Sequence, residues 1–410
     1  DLTSLQIEER QFNLAVCAME LFNEDAAFQL EKYLLEYPSG MFVNDVQFIL
    51  GNLFFRDKNY PAAITKYAQL NPDLLKDDER NMFYFRQGYS YFTVEDFEEA
   101  KLSFQKLNGV QFKFKDLTNY YVSHIAYMEG NYATALNGFE TLKEVPGIGS
   151  IVRYYIAQIY YIQGRNQDLL AFALPILDSA NTKRSPEIAR LIGDAYYRTN
   201  QFTKSIYFLE RFQNATTQKI GRLDKYQLGF AYYKVQNIDQ ASVLFQEVLQ
   251  EEDSLAQYAA YHLADCYMQN NQKGYALNAY KHAASFNFDS NLQEDAAFNH
   301  AKLVYEQETT YADAVGVFQN YITKFPKSKY LTLVQDYLVK SYSSSSNYKE
   351  ALAALERLDQ LTFEQKQVYQ RMAFFRGVEL FNKDDKEKAI KFFDKSLKYT
   401  SISEYKALCY

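Results

Sequence analysis

Tyr84-Phe85-Arg86-Gln87-Gly88-Tyr89-Ser90-Tyr91-Phe92-Thr93-Val94-Glu95-Asp96-Phe97-Glu98-Glu99-Ala100-Lys101-Leu102-Ser103-Phe104-Gln105-Lys106-Leu107 is the stretch on which the fold turns. Its first half sets a small residue, Gly88, three positions before an aromatic, Tyr91. Its second half sets Ala100 four positions before Phe104 and seven before Leu107. Both halves have the i, i+3, i+4, i+7 spacing of a helix with one apolar face. The stretch is therefore two amphipathic helices joined by a short polar connection.

The second pattern recurs along the chain, as Ala26-Leu30-Tyr33, Ala63-Tyr67-Leu70, Ala100-Phe104-Leu107, Ala135-Phe139-Leu142 and Leu169-Ala173-Ile176. It continues as Ser205-Leu209-Phe212, Ala241-Phe245-Val248, Ala276-Tyr280-Ala283, Ala314-Phe318-Tyr321, Ala351-Leu355-Leu358 and Ala389-Phe393-Ser396. Successive copies lie about 34 to 38 residues apart, a period that marks a repeat architecture. The first pattern precedes it at Gly51/Phe54, Gly88/Tyr91, Ala157/Tyr160, Gly193/Tyr196, Gly229/Tyr232 and Ala264/Tyr267, with looser copies at Ser123/Ala126 and Gly377/Leu380. Between the two stand turn residues: Asp57-Lys58-Asn59, Glu129-Gly130-Asn131, Gln163-Gly164-Arg165, Asn270-Asn271-Gln272 and Ser346-Asn347. Connections this short force the helices antiparallel. A small residue on each first helix, facing Ala on the second, is expected to let the backbones approach while nearby rings fill the groove. One hairpin cannot bury its apolar face alone, so each stacks on the next.

These residues resemble the tetratricopeptide repeat, whose pattern is a bulky residue, Leu-Gly-x-x-Tyr, Ala-x-x-x-Phe-x-x-Ala and a closing Pro. Tyr84, Gln87-Gly88, Tyr91, Phe97, Ala100, Phe104 and Leu107 fit it, and Pro38 and Pro326 supply the closing residue in two copies. The chain departs from it in having no Trp, an uneven period and few closing prolines. The resemblance, from about residue 8 to 410, implies an all-α fold, a right-handed α-α superhelical solenoid of about eleven hairpins. The expected organisation is repeats one to four over 1–142, an irregular fifth over 143–186, and repeats six to eleven over 187–410 with the start of a twelfth. The fifth follows Val145-Pro146-Gly147-Ile148-Gly149-Ser150 and contains Pro175, which lacks an amide hydrogen and crowds the preceding turn, so a joint is expected there. Ala407-Leu408-Cys409-Tyr410 begins a further first helix with no polar cap after it, so the natural protein is expected to continue or to be covered at that end.

Composition narrows the function. Glycine (15) and proline (7) are scarce, while 37 Tyr and 32 Phe supply abundant material for a core. That excludes disorder. The net charge of −7, from 44 basic and 51 acidic residues, gives no basic stripe, so nucleic acid is not expected as a partner. No apolar run approaches the ~20 residues of an integral membrane segment. Cys17, Cys266 and Cys409 are too far apart for a Cys-x-x-Cys site and are expected to be small core residues. His124, His262, His282 and His300 show no metal-ligand spacing, and structural or surface roles are expected for them. No nucleophile elbow, phosphate loop or kinase set occurs. The acidic runs Asp77-Asp78-Glu79 and Glu251-Glu252-Asp253 are assigned to solvated, helix-capping connections between repeats. Neither catalysis nor a cofactor or metal is expected.

In the family that the chain resembles, first helices line a concave groove. Carried over, the groove positions are Phe48, Asn52, Phe55, Phe85, Tyr89, Phe92, Tyr120, His124, Tyr127, Tyr154, Gln158 and Tyr161. Beyond them come Arg190, Asp194, Tyr197, Tyr226, Phe230, Tyr233, Tyr261, Asp265 and Met268. The rings suit two roles: packing between adjacent first helices, or receiving peptide or helical segments of partner proteins. The carboxylate clamp of the family's chaperone-binding members needs Lys, Asn and Arg at such positions; here only Asn52 matches in the N-terminal repeats, so no clamp is expected. The resulting expectation is a scaffold for other proteins or peptides. Endings such as Tyr37-Pro38-Ser39 and Phe325-Pro326-Lys327-Ser328, with the Tyr, Asn, Lys and Phe bias, resemble periplasmic or envelope-associated proteins of Bacteroidetes-like bacteria. The alternative is a sensor or regulatory arm of a longer cytoplasmic protein.

Overall fold

A computed structural model describes residues 3–21, 25–178, 184–217, 219–307, 311–344, 347–358, 360–399 and 402–409, with backbone alone at 311–313 and 343. Ser346, Tyr410 and residues 179–183 of the expected joint lie outside the described residues. Among the described residues the regular elements are α-helices and one 3-10 turn at Pro72–Leu74, with no strand. The chain divides into two compact units, Asp1–Ala195 and Tyr196–Tyr410. The first holds α1 (Ser4–Glu20), α2 (Ala26–Glu36), α3 (Val43–Arg56), α4 (Tyr60–Tyr67), α5 (Asp77–Thr93), α6 (Phe97–Gln105), α7 (Lys115–Met128), α8 (Tyr132–Leu142), α9 (Gly149–Ile162) and α10 (Asn166–Ile176). It also holds most of α11 (Ser185–Arg198). The second holds α12 (Phe202–Ala215), α13 (Arg222–Lys234), α14 (Ile238–Val248), α15 (Ser254–Gln269), α16 (Lys273–Ser285), α17 (Ser290–Glu306), α18 (Tyr311–Lys324), α19 (Leu331–Ser344), α20 (Tyr348–Glu356), α21 (Phe363–Asn382), α22 (Lys386–Leu397) and α23 (Ser403–Leu408). From α1 to α10 in the first unit and from α12 to α23 in the second, each helix packs on its neighbours in sequence, as stacked hairpins require.

The recurring second pattern falls on the even-numbered helices, and it is the core. Leu30, Tyr67, Phe104, Phe139, Phe245 and Phe318 are all essentially sealed from solvent, as is the Ala four residues before each of them. The first helix carries the matching small residue, but what it faces differs from the expectation. A Cβ built on Gly51 would stand 2.3 Å from the Tyr67 ring, one on Gly88 2.6 Å from Phe104, and one on Gly377 2.6 Å from Phe393. The bulky ring of the second helix, not its Ala, therefore lies on the small residue. In the fourth hairpin the roles reverse: Ser123 occupies the first helix and Gly138 on α8 gives way to it.

The turn is equally constant. Lys58, Glu95, Gly130, Gly164, Asn200, Gln236, Asn271 and Asp384 each stand seven residues after the small residue, and each has positive φ. The next amide then donates back to the carbonyl three residues after the small residue, as from Asn59 to Phe54, Asn131 to Ala126 and Gln272 to Tyr267, each at 2.8 Å. This left-handed residue ends the first helix as a C-terminal cap. Asn59, Asp96, Asn131, Asn237 and Asp385 then cap the second helix through their side chains.

At several joints successive hairpins meet through a ring near the middle of the first helix, two residues before the small residue in α7, α9 and α15; Ile49, Arg86, Leu191 and Gln227 take that place elsewhere. Tyr121 packs against Tyr89 (5.1 Å between centroids) and Phe92 (4.9 Å) of the preceding first helix, and stacks on Phe104 (6.1 Å) of the preceding second helix. Tyr155 meets His124, Tyr127 and Phe139 in the same way, at 4.9, 5.1 and 5.5 Å. In the second unit His262 meets Phe230, Tyr233 and Phe245 at 5.1, 5.5 and 5.7 Å. Tyr337 on α19 meets Tyr305 and Phe318 at 5.1 and 5.7 Å.

Two expectations need correction. Cys266 is buried as expected and Cys409 partly so, but Cys17 is exposed, because among the described residues no helix precedes α1 to cover its outer face. Asp77-Asp78-Glu79 does not lie in a connection; it forms the first turn of α5, where Glu79 accepts from the Lys76 amide. Asp253 behaves as expected, capping α15 and pairing with Arg222 at 2.7 Å.

The close contact at Gly88 has a measurable consequence. Gly88→Ala is expected to lower stability by about 1–3 kcal/mol, because the added methyl meets a buried ring. Gly316→Ala, in open space on α18, is expected to raise it by about 0.5–1 kcal/mol through helix propensity. Urea midpoints at constant slope check both.

Candidate functional site

The residues carried over from the resemblance fall on the first helices, in one group per unit. In the first unit Phe48 packs on the core between α4 and α5, and Asn52 accepts a hydrogen bond from the Tyr67 hydroxyl at 2.8 Å. Phe55 lies between Tyr60 and Tyr89, at 5.9 and 5.5 Å. Phe85 and Tyr154 are buried and offer a partner little surface; Phe85 stacks on Phe114 at 4.8 Å, and Arg184 lies over the Tyr154 ring. Phe92 reaches His124 at 5.5 Å, and Tyr120 stacks on the same imidazole at 5.7 Å. The Tyr127 hydroxyl donates to Gln158 Oε1 at 2.9 Å, and Gln158 Nε2 donates to the Tyr154 hydroxyl at 2.6 Å. Tyr161, at the end of α9, is partly exposed.

In the second unit Tyr197 packs edge-on against Phe230, and Phe230 against Tyr226 and Tyr233. A run of hydroxyl-to-carboxylate bonds follows. Asp265 accepts from Tyr280 at 2.6 Å and Tyr233 at 3.4 Å, and Asp295 accepts from Tyr261 at 2.5 Å and from Tyr330. Met268 is partly buried against the same core. Arg190 is partly exposed near the end of the first unit, and Asp194 is buried there.

Packing between adjacent first helices thus accounts for much of the aromatic area. It leaves Asn52, Phe55, Tyr89, Phe92, Tyr127, Gln158 and Tyr161 partly exposed along the first-helix face of the first unit. Sequence reasoning missed Tyr121, Tyr155, His262 and Arg86, which sit one position off the expected rows and make the contacts between hairpins. The signal that finds them is their fixed place two residues before each small residue. Among the described residues no group of three or more His, Cys, Asp or Glu side chains could hold a metal ion.

No protein-family model matches the chain, and no curated protein does. Solved structures similar to it include the C-terminal part of a TPR repeat-containing protein from Cytophaga hutchinsonii. That match has 15% identity and a TM-score of 0.31, over 70% of this chain and 98% of the other. A structure of Naa15/Naa10 bound to HypK-THB matches at 14% identity and a TM-score of 0.37, over 98% of this chain and 65% of the other.

Burial fixes the charge state of the face. Desolvation, helped by Lys234, pushes the His262 imidazole down to about 4, and burial alone lowers His124. At neutral pH the 3.9 Å approach of His262 Nδ1 to Asp265 is therefore not an ion pair. Burial also raises the Asp265 carboxyl, while the hydroxyls of Tyr280 and Tyr233 hold it down. A histidine with a depressed folded pKa is protonated first in the unfolded chain, so its contribution is lost as pH falls from its unfolded value toward about 4. Wild-type protein is expected to lose about 2 kcal/mol more than His262→Phe between pH 7 and pH 5, measured by urea unfolding. Equal losses would show that His262 titrates normally.

Proposed function

We propose that this chain is a non-catalytic protein-interaction scaffold whose first-helix faces receive peptide or helical segments of other proteins. The observation that carries this reading is the row from Phe55 through Tyr89, Phe92 and Tyr127 to Tyr161. The rings of Phe55, Tyr89, Phe92 and Tyr127 pack against rings of neighbouring hairpins, and all five residues remain partly exposed. Pre-ordered aromatic surface loses little entropy when a partner docks, and a tyrosine tip can still hydrogen-bond. Each hairpin adds one step to the row, which suits an extended or helical segment better than a compact small molecule.

The resemblance to periplasmic proteins extends the proposal to bacterial envelope assembly. An apolar leader on the precursor, removed on export, supports that setting; a cytoplasmic precursor without one supports the sensor-arm alternative. Among the described residues no helix is long and apolar enough to cross a membrane.

Co-purification from the native cell with Tyr89, Tyr127 and Tyr161 all changed to Ser tests the face. Recovery of bound partners is expected to fall about tenfold or more while far-UV circular dichroism stays helical. The same partners at the same yield on a folded variant would sink the proposal.

A further inference from the structure

The first helix α17 packs against the second helices on either side of it, α16 and α18, and two regularities of the other hairpins fail there together. Leu50, Ile156, Ile192, Leu228 and Leu263, each directly before its small residue, are buried. In α17 that place goes to His300, directly before the buried Ala301. The residue five after the first member of the second-helix pattern is acidic in five copies, Glu31, Glu140, Glu210, Glu356 and Asp394, and uncharged in five more. Such acids tie their helix to a neighbour: Glu31 pairs with Lys66 at 2.9 Å, and Glu356 accepts from Tyr369 at 2.8 Å and Lys395 at 2.7 Å. In α16 the same position is Lys281, a cation found there in no other copy.

A cavity of about 300 Å³ opens at this place. Lys281, His300, Asn320 and Lys324 supply its nitrogen donors, and Ala297, Val317 and Phe325 an apolar wall. Among the described residues no carboxylate lines it. Lys273 and Lys302 on the same helices pair with Glu306, but among the described residues neither Lys281 nor Lys324 has a carboxylate at ion-pair distance. Lys324 donates one hydrogen to the Ala284 carbonyl at 3.4 Å and keeps two. Arg376, which stands directly before Gly377 in α21, is held by Glu379 at 2.6 Å; His300 has no such partner among the described residues. Burial and the charge of Lys281 push the His300 imidazole down to about 4, so at neutral pH it is uncharged and offers one N–H.

Two ammonium groups balance a phosphate monoester, which carries about −1.5 to −2 at neutral pH. Point charges and N–H donors arriving from three helices suit tetrahedrally arranged oxygens, whereas a planar carboxylate is matched by an arginine fork, which this cavity lacks. An apolar wall with a few convergent polar groups is how small-ligand sites are built. We propose that the cavity between α16, α17 and α18 binds a phosphate monoester on a small apolar body, with Lys281, Lys324, His300 and Asn320 around the phosphate and Val317 and Phe325 against the body. The site is made of second-unit residues alone, while the aromatic row from Phe55 to Tyr161 belongs to the first unit, so it stands apart from the scaffold reading. The monoester can be a free small molecule or a phosphorylated side chain of another protein.

Calorimetric titration of the full chain tests the shared chemistry and separates the two sources. The probes are phenyl phosphate, singly charged phenyl sulfate and acetyl-phosphotyrosine amide. Phenyl phosphate is expected to bind about fivefold or more tightly than phenyl sulfate, and more weakly as salt rises. Acetyl-phosphotyrosine amide binding as well as phenyl phosphate assigns the site to a phosphorylated side chain, and its exclusion assigns it to a free molecule. Lys281→Glu and His300→Leu install residues found at these places in other hairpins. Both are expected to melt no lower than wild type and to bind phenyl phosphate about tenfold or more weakly. Lys349→Glu makes the same charge change on α20 and is expected to leave binding unchanged. No binding of phenyl phosphate, equal affinity for the sulfate, or full affinity in Lys281→Glu would overturn the proposal. Partner recovery in the triple Tyr-to-Ser variant reads the first unit, so failure here leaves the scaffold reading standing.

Discussion

The contact between a second-helix ring and a small first-helix residue governs the rest of the structure. Tyr67 on Gly51, Phe104 on Gly88 and Phe393 on Gly377 lie so close that a methyl would not fit without movement. That closeness brings the two backbones together and fixes where along each helix they meet. The left-handed turn residue then follows at a constant seven positions, because the first helix must end at the same height above the contact in each hairpin. Six of the eight such residues are not glycine. Tertiary packing therefore holds a conformation that the residues themselves disfavour by roughly 1 kcal/mol or more.

Closing a hairpin in this way leaves a shelf made of the buried ring and the two residues one and four after the small residue. The next hairpin sets a ring on that shelf. Four such seams recur, with Tyr121, Tyr155, His262 and Tyr337 as the inserted ring. An aromatic pair contributes about 0.5–1.5 kcal/mol beyond its buried area, so two or three contacts per seam give a substantial directional bias to stacking. A buried imidazole can serve in this place because desolvation keeps it neutral. A guanidinium cannot be neutralised. At the Arg86 seam it keeps its charge, turns to the Tyr67 hydroxyl and the Phe55 face, and the packing is left open beside it.

The hairpin was legible in the sequence because its contacts repeat at helical spacing within one chain segment. The first two members of every second-helix pattern, from Ala26-Leu30-Tyr33 to Ala389-Phe393-Ser396, land on a helix, with Leu70, Leu107 and Leu358 just past its end, and nearly all the members are buried. The seam between hairpins was less legible. Tyr121 and Tyr155 follow directly on Tyr120 and Tyr154, and the periodicity of one helix does not say which of two adjacent rings turns toward a neighbour about 34 to 38 residues away. His262 gave no apolar signal at all. Cys17 failed for the same reason: α1 has the spacing of a first helix, but burial on its outer face requires a preceding helix, and among the described residues there is none. Of the candidate face, the helices and positions were legible. The split between packed rings such as Phe85 and partly exposed ones such as Tyr161 depends on those inter-hairpin contacts.

Rings alone would leave each seam free to slide, since stacking is only weakly directional. A polar clasp seven residues before the small residue removes that freedom. Gln257 donates from its side chain to the Asp289 carbonyl at 3.0 Å and accepts from the Asp289 amide at 2.8 Å; Gln370 makes the same pair with Ile402 at 2.9 and 2.8 Å. Asn44 accepts from the Asn71 amide and Glu294 from the Ser328 hydroxyl, each reaching the connection into the next hairpin, and Arg222 donates to the Val248 carbonyl at the end of α14. Gln257 and Gln370 are fully buried, so a slip of one residue would leave both an amide side chain and a backbone pair unsatisfied. That penalty, roughly 1–3 kcal/mol for each orphaned group, exceeds the stacking energy a slipped ring pair could recover. The clasp therefore sets the register and the rings supply the adhesion. The side chain at the clasp position varies among Asn, Arg, Gln and Glu, because the connection needs only a partner that reaches it, and this variety hides the device from a search for recurring residue types.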